Sequence, residues 1–161
     1  EELLASIPAI QPVNNKDLKR LSSYYGYRTD PIYKVKKFHP GIDFSAPTGT
    51  EIYSTGDGTV KQIIKSRRGY GNRIIIDHGY GYETMYAHVH EFKVRKGQKV
   101  KRGQLIATVG NTGKSTAPHL HYEIRKDDKR VNPIYYFFND LTPEEYEEVL
   151  ELSALPTQSL D

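Results

Sequence analysis

The sequence predicts a mainly β domain, a sheet-based sandwich or barrel, with short flanking helices at both ends. Short runs rich in Val, Ile, Thr and Tyr follow one another through the middle of the chain. Turns that contain glycine separate these runs at nearly regular spacing. This pattern is typical of a sheet-based sandwich or barrel, whereas βαβ units would alternate strands with helical periods.

The composition of five segments predicts strands, and glycine-containing turns lie between them. The predicted strands are residues 59–65, 72–77, 83–88, 104–109 and 119–125. The turns are at residues 55–58, 69–71, 79–81, 96–98 and 110–113. Each strand is therefore short, and its neighbours along the chain can pair with it through tight connections.

Two helices are predicted to flank this core. Residues 15–22 form a short candidate on the N-terminal side. The C-terminal helix has clearer signals, because Thr142 can cap it, Pro143 suits the first helical position and Glu145 completes a capping box. We expect this second helix to run to about Ser153.

Length and composition limit the possible functions. The chain has 161 residues, which fits one domain, and it has no cysteine, which excludes thiolate nucleophiles and cysteine-based zinc sites. Its net charge of +3 comes from Lys and Arg spread along the chain, without the basic stripe of a nucleic-acid binder. Neither a membrane span nor a signal peptide is visible, so we expect any anchor or export signal to lie outside this chain.

We divide the chain into an N-terminal helix or extension, a central β domain, and a C-terminal helix and tail, at residues 1–23, 24–135 and 136–161.

Histidine placement is the most informative feature of the sequence. His119 and His121 lie two apart in a predicted strand, so both imidazoles project from one face. His39 and Asp43 lie four apart around a Pro-Gly dipeptide, which argues against a helix. In an extended segment this even separation again puts both side chains on one face. The two pairs could converge on one cation.

Zinc is the metal that these ligand types suggest, because it accepts imidazole nitrogen and carboxylate oxygen where thiolate is absent. A catalytic zinc takes three protein ligands, so one or two histidines are left over for acid–base work near neutral pH. The spacing of His119 and His121 allows two interpretations: both bind the metal, or they divide the two roles. His78 is interpreted as a structural hydrogen-bonding residue, and His90 as a solvated one.

Three segments resemble motifs of the lysostaphin/LytM-like metallopeptidases, and they occur in that family's order. Residues 38–44, F-H-P-G-I-D-F, resemble the first metal motif. Residues 85–88 are similar to the central Y-x-H segment, and residues 118–121 to the closing H-x-H motif. The similarity covers about residues 24–133. It implies a compact antiparallel β domain of the LytM type, with a groove across the sheet.

The same resemblance implies the roles of individual residues. One zinc ion per chain would be held by His39, Asp43 and His121, while His88 and His119 would be catalytic and face the reacting water and the substrate. Which of these two is the base and which stabilises the oxyanion stays open. The candidates for substrate binding are Tyr33, in a loop where relatives place a substrate-stabilising tyrosine, and Tyr86 and Ser115.

The function that the resemblance implies is a zinc-dependent endopeptidase that hydrolyses peptide cross-links or stems of bacterial peptidoglycan. We expect such an enzyme to be extracytoplasmic and monomeric, with peptidoglycan peptides and no nucleic acid as partners. The alternative is a non-catalytic LytM-like activator or scaffold for another cell-wall hydrolase, although none of the five polar residues is substituted here. Residues 94–110 alone also resemble the hairpin of biotinyl or lipoyl carriers, but a carrier would leave the histidines unexplained.

Overall fold

The computed structural model describes residues 2–29 and 34–155. Its helices in these ranges are α1 (Glu2–Ser6), a 3-10 helix (Pro133–Tyr136) and α2 (Pro143–Ser153). Its strands are β1 (Leu21–Ser23), β2 (Gly26–Thr29), β3 (Lys36–His39), β4 (Ile42–Ser45), β5 (Glu51–Tyr53), β6 (Gly58–Ile64), β7 (Arg73–Gly79), β8 (Tyr82–Ala87), β9 (Val89–Phe92), β10 (Lys99–Val100), β11 (Leu105–Val109), β12 (His119–Lys126) and β13 (Lys129–Val131).

The body of the molecule is an antiparallel sheet of eight strands, in the order β1-β4-β12-β8-β7-β6-β10, with β13 paired to the far half of β12. A smaller sheet has the order β5-β11-β9, and β2 and β3 form a separate hairpin. Ile52 and Ile106 of the smaller sheet share one hydrophobic cluster with Phe44 and Tyr122 of the main sheet. The predicted fold class is confirmed, and the five predicted strands correspond to β6, β7, β8, β11 and β12 with ends displaced by no more than two residues.

Strand β12 is buried on both faces, since every residue from His119 to Ile124 has no exposed surface. Its even-numbered side chains enter the hydrophobic cluster, whereas its odd-numbered ones point the other way. The register places His121 opposite Asp43 of β4 on one side and opposite Ala87 of β8 on the other. The face away from the core therefore carries polar side chains in the centre of the sheet.

The predicted C-terminal helix is confirmed as α2, including its cap. The hydroxyl of Thr142 accepts a hydrogen bond from the Glu145 backbone N–H at 3.1 Å, and the Glu145 carboxylate accepts from the Thr142 N–H at 2.9 Å. Val149 is buried against the core. None of the helices in the described ranges has the length and apolar character needed to span a membrane.

The predicted helix at residues 15–22 is wrong, because residues 16–20 form turns and Leu21 and Ser22 already belong to β1. The Asn15 side chain accepts a hydrogen bond from the Arg20 N–H at 2.9 Å, which favours a turn over a helix. Leu18 has φ 60°, a left-handed conformation that interrupts a helix.

The helix at this end of the chain is instead α1. It has only five residues, so its sequence signal is weak and its stability depends on tertiary contacts. The Arg102 guanidinium donates hydrogen bonds to the carbonyl oxygen of Leu4 at 2.6 Å and to that of Ile7, just after the helix, at 2.7 Å. The Asp57 N–H donates another to the Ala5 carbonyl oxygen at 2.8 Å.

Candidate active site

Three metal-binding side chains converge on the polar face of the main sheet. His39 lies at the end of β3, Asp43 in β4 and His121 in β12. Asp43 Oδ1 is 3.3 Å from His39 Nε2 and 3.0 Å from His121 Nδ1, and the three ligand atoms all lie within 4.8 Å of one another. A tetrahedral ion with ligand distances of about 2.0–2.1 Å separates its ligands by about 3.3 Å. The three side chains therefore fit an ion of that size.

The chain turns between His39 and β4, where the sequence suggested one extended segment. β3 ends at His39 and β4 begins at Ile42, in a different sheet. Gly41 makes this turn possible, because a Cβ atom there would lie 2.4 Å from the Tyr122 carbonyl oxygen and 3.0 Å from His121 Nε2. The turn thus packs directly against a metal-binding side chain.

Hydrogen bonds on the far side of each imidazole decide which nitrogen carries the lone pair. His39 Nδ1 lies 3.0 Å from the Tyr24 carbonyl oxygen, so Nδ1 donates and Nε2 faces Asp43. His121 has the reverse arrangement, since its Nε2 lies 2.8 Å from Glu123 Oε2 and its Nδ1 faces Asp43. The two rings therefore offer different nitrogens to one ion.

Asp43 is an anion at neutral pH. Burial raises its pKa, but His121 and His39, where their imidazoles are protonated, donate hydrogen bonds and add positive charge that lower the pKa to about 2. The site accordingly offers one carboxylate and two imidazoles, a set without sulfur that suits zinc and other borderline cations.

Glu123 is a component of the site that the sequence analysis missed. This carboxylate is fully buried and accepts hydrogen bonds from the Tyr70 hydroxyl at 2.8 Å and from Arg130 Nε at 3.0 Å. Burial raises the pKa of Glu123, but its bonds to His121, Tyr70 and Arg130 lower it to about 2. Strand alternation could have found it, because Glu123 follows His121 by two residues and must share its face.

The two remaining histidines of the motifs lie together beside the metal-binding side chains. The ring centroids of His88 and His119 are 4.5 Å apart, and His88 is 6.3 Å from His121. His88 Nδ1 is 2.7 Å from the Thr112 carbonyl oxygen, and His119 Nδ1 is 2.8 Å from that of Ala117. Each Nδ1 therefore donates, and in the neutral ring Nε2 can accept a proton.

His88 reaches this position through an unusual backbone conformation. It follows the end of β8, where Tyr86 faces the core and Ala87 pairs with His121 on the polar face. Regular alternation would direct His88 into the core. Its φ of 62° redirects the side chain, and its N–H donates to the Tyr70 carbonyl oxygen at 2.9 Å. A left-handed non-glycine residue costs about 1–3 kcal/mol and often marks a functional position.

The substrate-binding candidates have three different outcomes. The prediction that Tyr86 binds substrate is wrong, because its place in β8 directs the side chain into the core. There it is fully buried, and its hydroxyl hydrogen-bonds Thr55 and Thr84. Ser115 lies at the site, with its hydroxyl 3.0 Å from His119 Nδ1, and its contact with substrate stays a prediction. Tyr33 lies outside the described residues.

The other two histidines lie apart from this cluster. His78 is buried, with Nδ1 2.8 Å from the Asp57 carbonyl oxygen and Nε2 2.7 Å from Thr84 Oγ1, which confirms its structural role. Burial lowers its pKa to about 4. His90 lies within β9 and its side chain is half exposed, as expected for a solvated residue.

Comparison with known proteins places this site in a family. The model of "Peptidase family M23" matches residues 37–133. The chain belongs to peptidase family M23. The matched segment contains all five of the motif residues, and the resemblance drawn from the sequence motifs is confirmed. Membership of this metallopeptidase family implies a metal cofactor, in agreement with the donor set of His39, Asp43 and His121.

Curated relatives of this M23 domain are longer proteins. The "DD-carboxypeptidase/endopeptidase Mpg" of Neisseria meningitidis is 46% identical over 116 residues, which are 71% of this chain and 26% of that protein. The "Peptidoglycan DD-endopeptidase ShyA" of Vibrio cholerae is 44% identical over 123 residues, 75% of this chain and 28% of that protein. The chain thus spans about a quarter of the length of these relatives.

Solved structures share the fold. A zinc-containing peptidase from Vibrio cholerae has a TM-score of 0.65 and 39% identity, covering 76% of this chain and 37% of that one. The catalytic domain of the antimicrobial peptidase lysostaphin from Staphylococcus simulans has a TM-score of 0.64 and 29% identity, covering 78% of this chain and 98% of that one.

Proposed function

We propose that this M23 domain is a zinc-dependent endopeptidase that hydrolyses peptide cross-links or stems of bacterial peptidoglycan. The observation that carries the proposal is the adjacency of two groups of side chains. A buried His-Asp-His set of metal donors lies beside a pair of imidazoles whose rings are 4.5 Å apart. Relatives described as peptidoglycan DD-endopeptidases support the substrate class.

The proposed cofactor is one zinc ion per chain, held by His39 Nε2, a carboxylate oxygen of Asp43 and His121 Nδ1. Three protein ligands of these types are typical of a catalytic zinc, which keeps its fourth position for water or substrate. A zinc ion in such a site lowers the pKa of water to near 7 and polarises the carbonyl group that is attacked.

The proposed catalytic residues are His88 and His119. One of them takes a proton from the attacking water at Nε2, since its Nδ1–H is held by a backbone carbonyl. The other donates a hydrogen bond to the oxyanion that develops on the scissile carbonyl. The protonated imidazole then returns its proton to the leaving amine. Ser115 and the Ala117 carbonyl oxygen keep the His119 ring oriented for this exchange.

The proposed location and partners follow from the substrate. Peptidoglycan lies outside the cytoplasmic membrane, so the domain would act extracytoplasmically on wall peptides, and we propose that it does so as a monomer. The glycan strands would stay whole, because only amide bonds are cut.

The test uses His88→Ala, His119→Ala and His121→Ala, with His90→Ala as the matched control because His90 is half exposed and outside the site. We expect His88→Ala and His119→Ala to retain zinc and to lose at least about 100-fold in amine release from sacculi. His121→Ala should lose zinc, and His90→Ala should behave as wild type. Zinc loss in His119→Ala would reverse the roles of His119 and His121.

The same assay separates the enzyme from a non-catalytic activator. An activator would release no amines on its own and would raise the rate of a second hydrolase added to the same sacculi. Sacculi with both kinds of cross-link, through diaminopimelate and through lysine, should be offered.

A further inference from the structure

We propose that Glu123 is a positioning residue that keeps the proton of His121 on Nε2, so that Nδ1 is the nitrogen that binds the metal. Tyr70 and Arg130 hold Glu123 in that position. The inference deepens the proposed function and rests on the zinc site assigned there.

The His121 ring lies between two buried carboxylates that differ in their other contacts. Asp43, 3.0 Å from Nδ1, is also 3.3 Å from His39 Nε2 and so belongs to the metal-binding set. Glu123, 2.8 Å from Nε2, lies on the opposite edge of the ring and outside that set. A proton on Nε2 therefore has a fixed acceptor, and the lone pair of the neutral ring is directed towards Asp43 and His39.

Tyr70 fixes both Glu123 and the plane of the His121 ring. Its hydroxyl donates to Glu123 Oε2 at 2.8 Å, and its ring stacks on His121 with centroids 4.9 Å apart and an angle of 25° between planes. Its carbonyl oxygen also accepts from the His88 N–H at 2.9 Å. One residue thus links the metal-binding His121 to the proposed catalytic His88.

Arg130 provides the nearer of two compensating charges, since Arg125 Nη2 also lies 3.6 Å from Glu123 Oε1. Arg130 lies in β13, whose pairing with β12 places it opposite Arg125, and its Nε donates to Glu123 Oε1 at 3.0 Å. A fully buried carboxylate is costly unless it is paired and hydrogen-bonded. Arg130 donates to Glu123 Oε1, and Tyr70 donates to Oε2, so Oε2 is held in place as the acceptor for the His121 Nε2 proton and Nδ1 is left to bind the metal.

The first test measures zinc affinity by chelator competition in the purified 161-residue chain. We expect Glu123→Leu to weaken zinc binding by about 10- to 100-fold, as is typical when a carboxylate behind a metal-binding histidine is lost. Glu123→Gln should recover most of this loss, because its amide oxygen can still accept the Nε2 proton. Wild-type affinity in Glu123→Leu would overturn the inference.

Tyr70→Phe keeps the proposal testable if Glu123→Leu does not fold, because it removes one hydroxyl and retains the stacked ring. We expect a several-fold weaker zinc affinity. The matched control is Tyr53→Phe, which removes a similar tyrosine–glutamate hydrogen bond of 3.0 Å at an exposed position and should leave zinc affinity unchanged. Equal affinities in Tyr70→Phe and Tyr53→Phe would count against the proposal.

A second readout is spectroscopic and does not depend on activity. In ¹⁵N-histidine NMR of protein loaded with ¹¹³Cd, His121 should carry its proton on Nε2 and show metal coupling at Nδ1. Coupling at Nε2 would overturn the inference while leaving the proposed function intact. If the wild-type chain binds no zinc at all, the proposed function fails together with this inference.

Discussion

Replacing Gly41 by alanine tests whether the turn between β3 and β4 sets the geometry of the metal-binding set. A Cβ atom at this position would lie 2.4 Å from the Tyr122 carbonyl oxygen, whereas ordinary contacts begin at 3.4 Å. The contact must therefore open by about 1 Å, and the atom that must move is backbone of β12. The same Cβ would lie 3.0 Å from His121 Nε2, so the displacement reaches a metal-binding ring.

The expected size of the effect follows from that displacement. Overpacking of this kind costs about 1–3 kcal/mol of the free energy of unfolding. A shift of about 1 Å in a catalytic site costs roughly 100-fold in rate, and we expect zinc affinity to fall by about 10-fold or more. Stability is measured by urea unfolding, zinc affinity by chelator competition, and activity by amine release from sacculi.

Gly97→Ala is the matched control for Gly41→Ala. Gly97 has φ 86° and would place its Cβ in open space, with no atom within 4 Å. Alanine there should lower stability by about 1–2 kcal/mol through its backbone conformation alone. Zinc affinity should be unchanged. Wild-type zinc affinity and activity in Gly41→Ala would show that this turn does not set the geometry of the metal-binding residues.

Three further predictions concern stability. Burial lowers the pKa of His78 from 6.5 to about 4, so the unfolded state binds more protons than the folded state between these pH values. The free energy of unfolding should therefore fall by roughly 3 kcal/mol as the pH decreases from about 6.5 to 4. In urea unfolding, this free energy should depend less steeply on pH in His78→Gln than in the wild type. Thr142→Ala should cost about 1 kcal/mol in thermal unfolding, because α2 loses its capping hydroxyl, and an unchanged melting temperature would contradict this. Arg102→Met should expose α1 to limited proteolysis, because the carbonyl groups of Leu4 in α1 and of Ile7 just after it lose their donor, and equal cleavage rates would refute the role of these contacts.

The fold could be predicted where one local signal was sufficient. Strands β6, β7, β8, β11 and β12 follow from composition and glycine turns, and α2 follows from Thr142 and Glu145. The helix predicted at residues 15–22 does not form, because the hydrogen bond of the Asn15 side chain and the left-handed conformation of Leu18 favour a turn. The five residues of α1 depend on Arg102, which lies far away in the chain, and local sequence does not report such a contact.

The site was predictable to the extent that strand alternation determines it. The shared face of His119 and His121 follows from their spacing, and the same rule could have identified Glu123. Tyr86 precedes His88 by two residues, so the same rule predicts that both share a face, whereas Tyr86 lies in the core. The left-handed backbone of His88 breaks the alternation, so its place beside His119 could be inferred only from the family motifs.

The release of amines from purified sacculi by the zinc-loaded chain is the most direct test of the proposed endopeptidase activity. We expect new amino groups and intact glycan strands at neutral pH, loss of amine release with a chelator, and its return on addition of zinc. If zinc-loaded protein releases no amines from sacculi of either cross-link type between about pH 6 and 9, where a histidine base is functional, the endopeptidase assignment is contradicted.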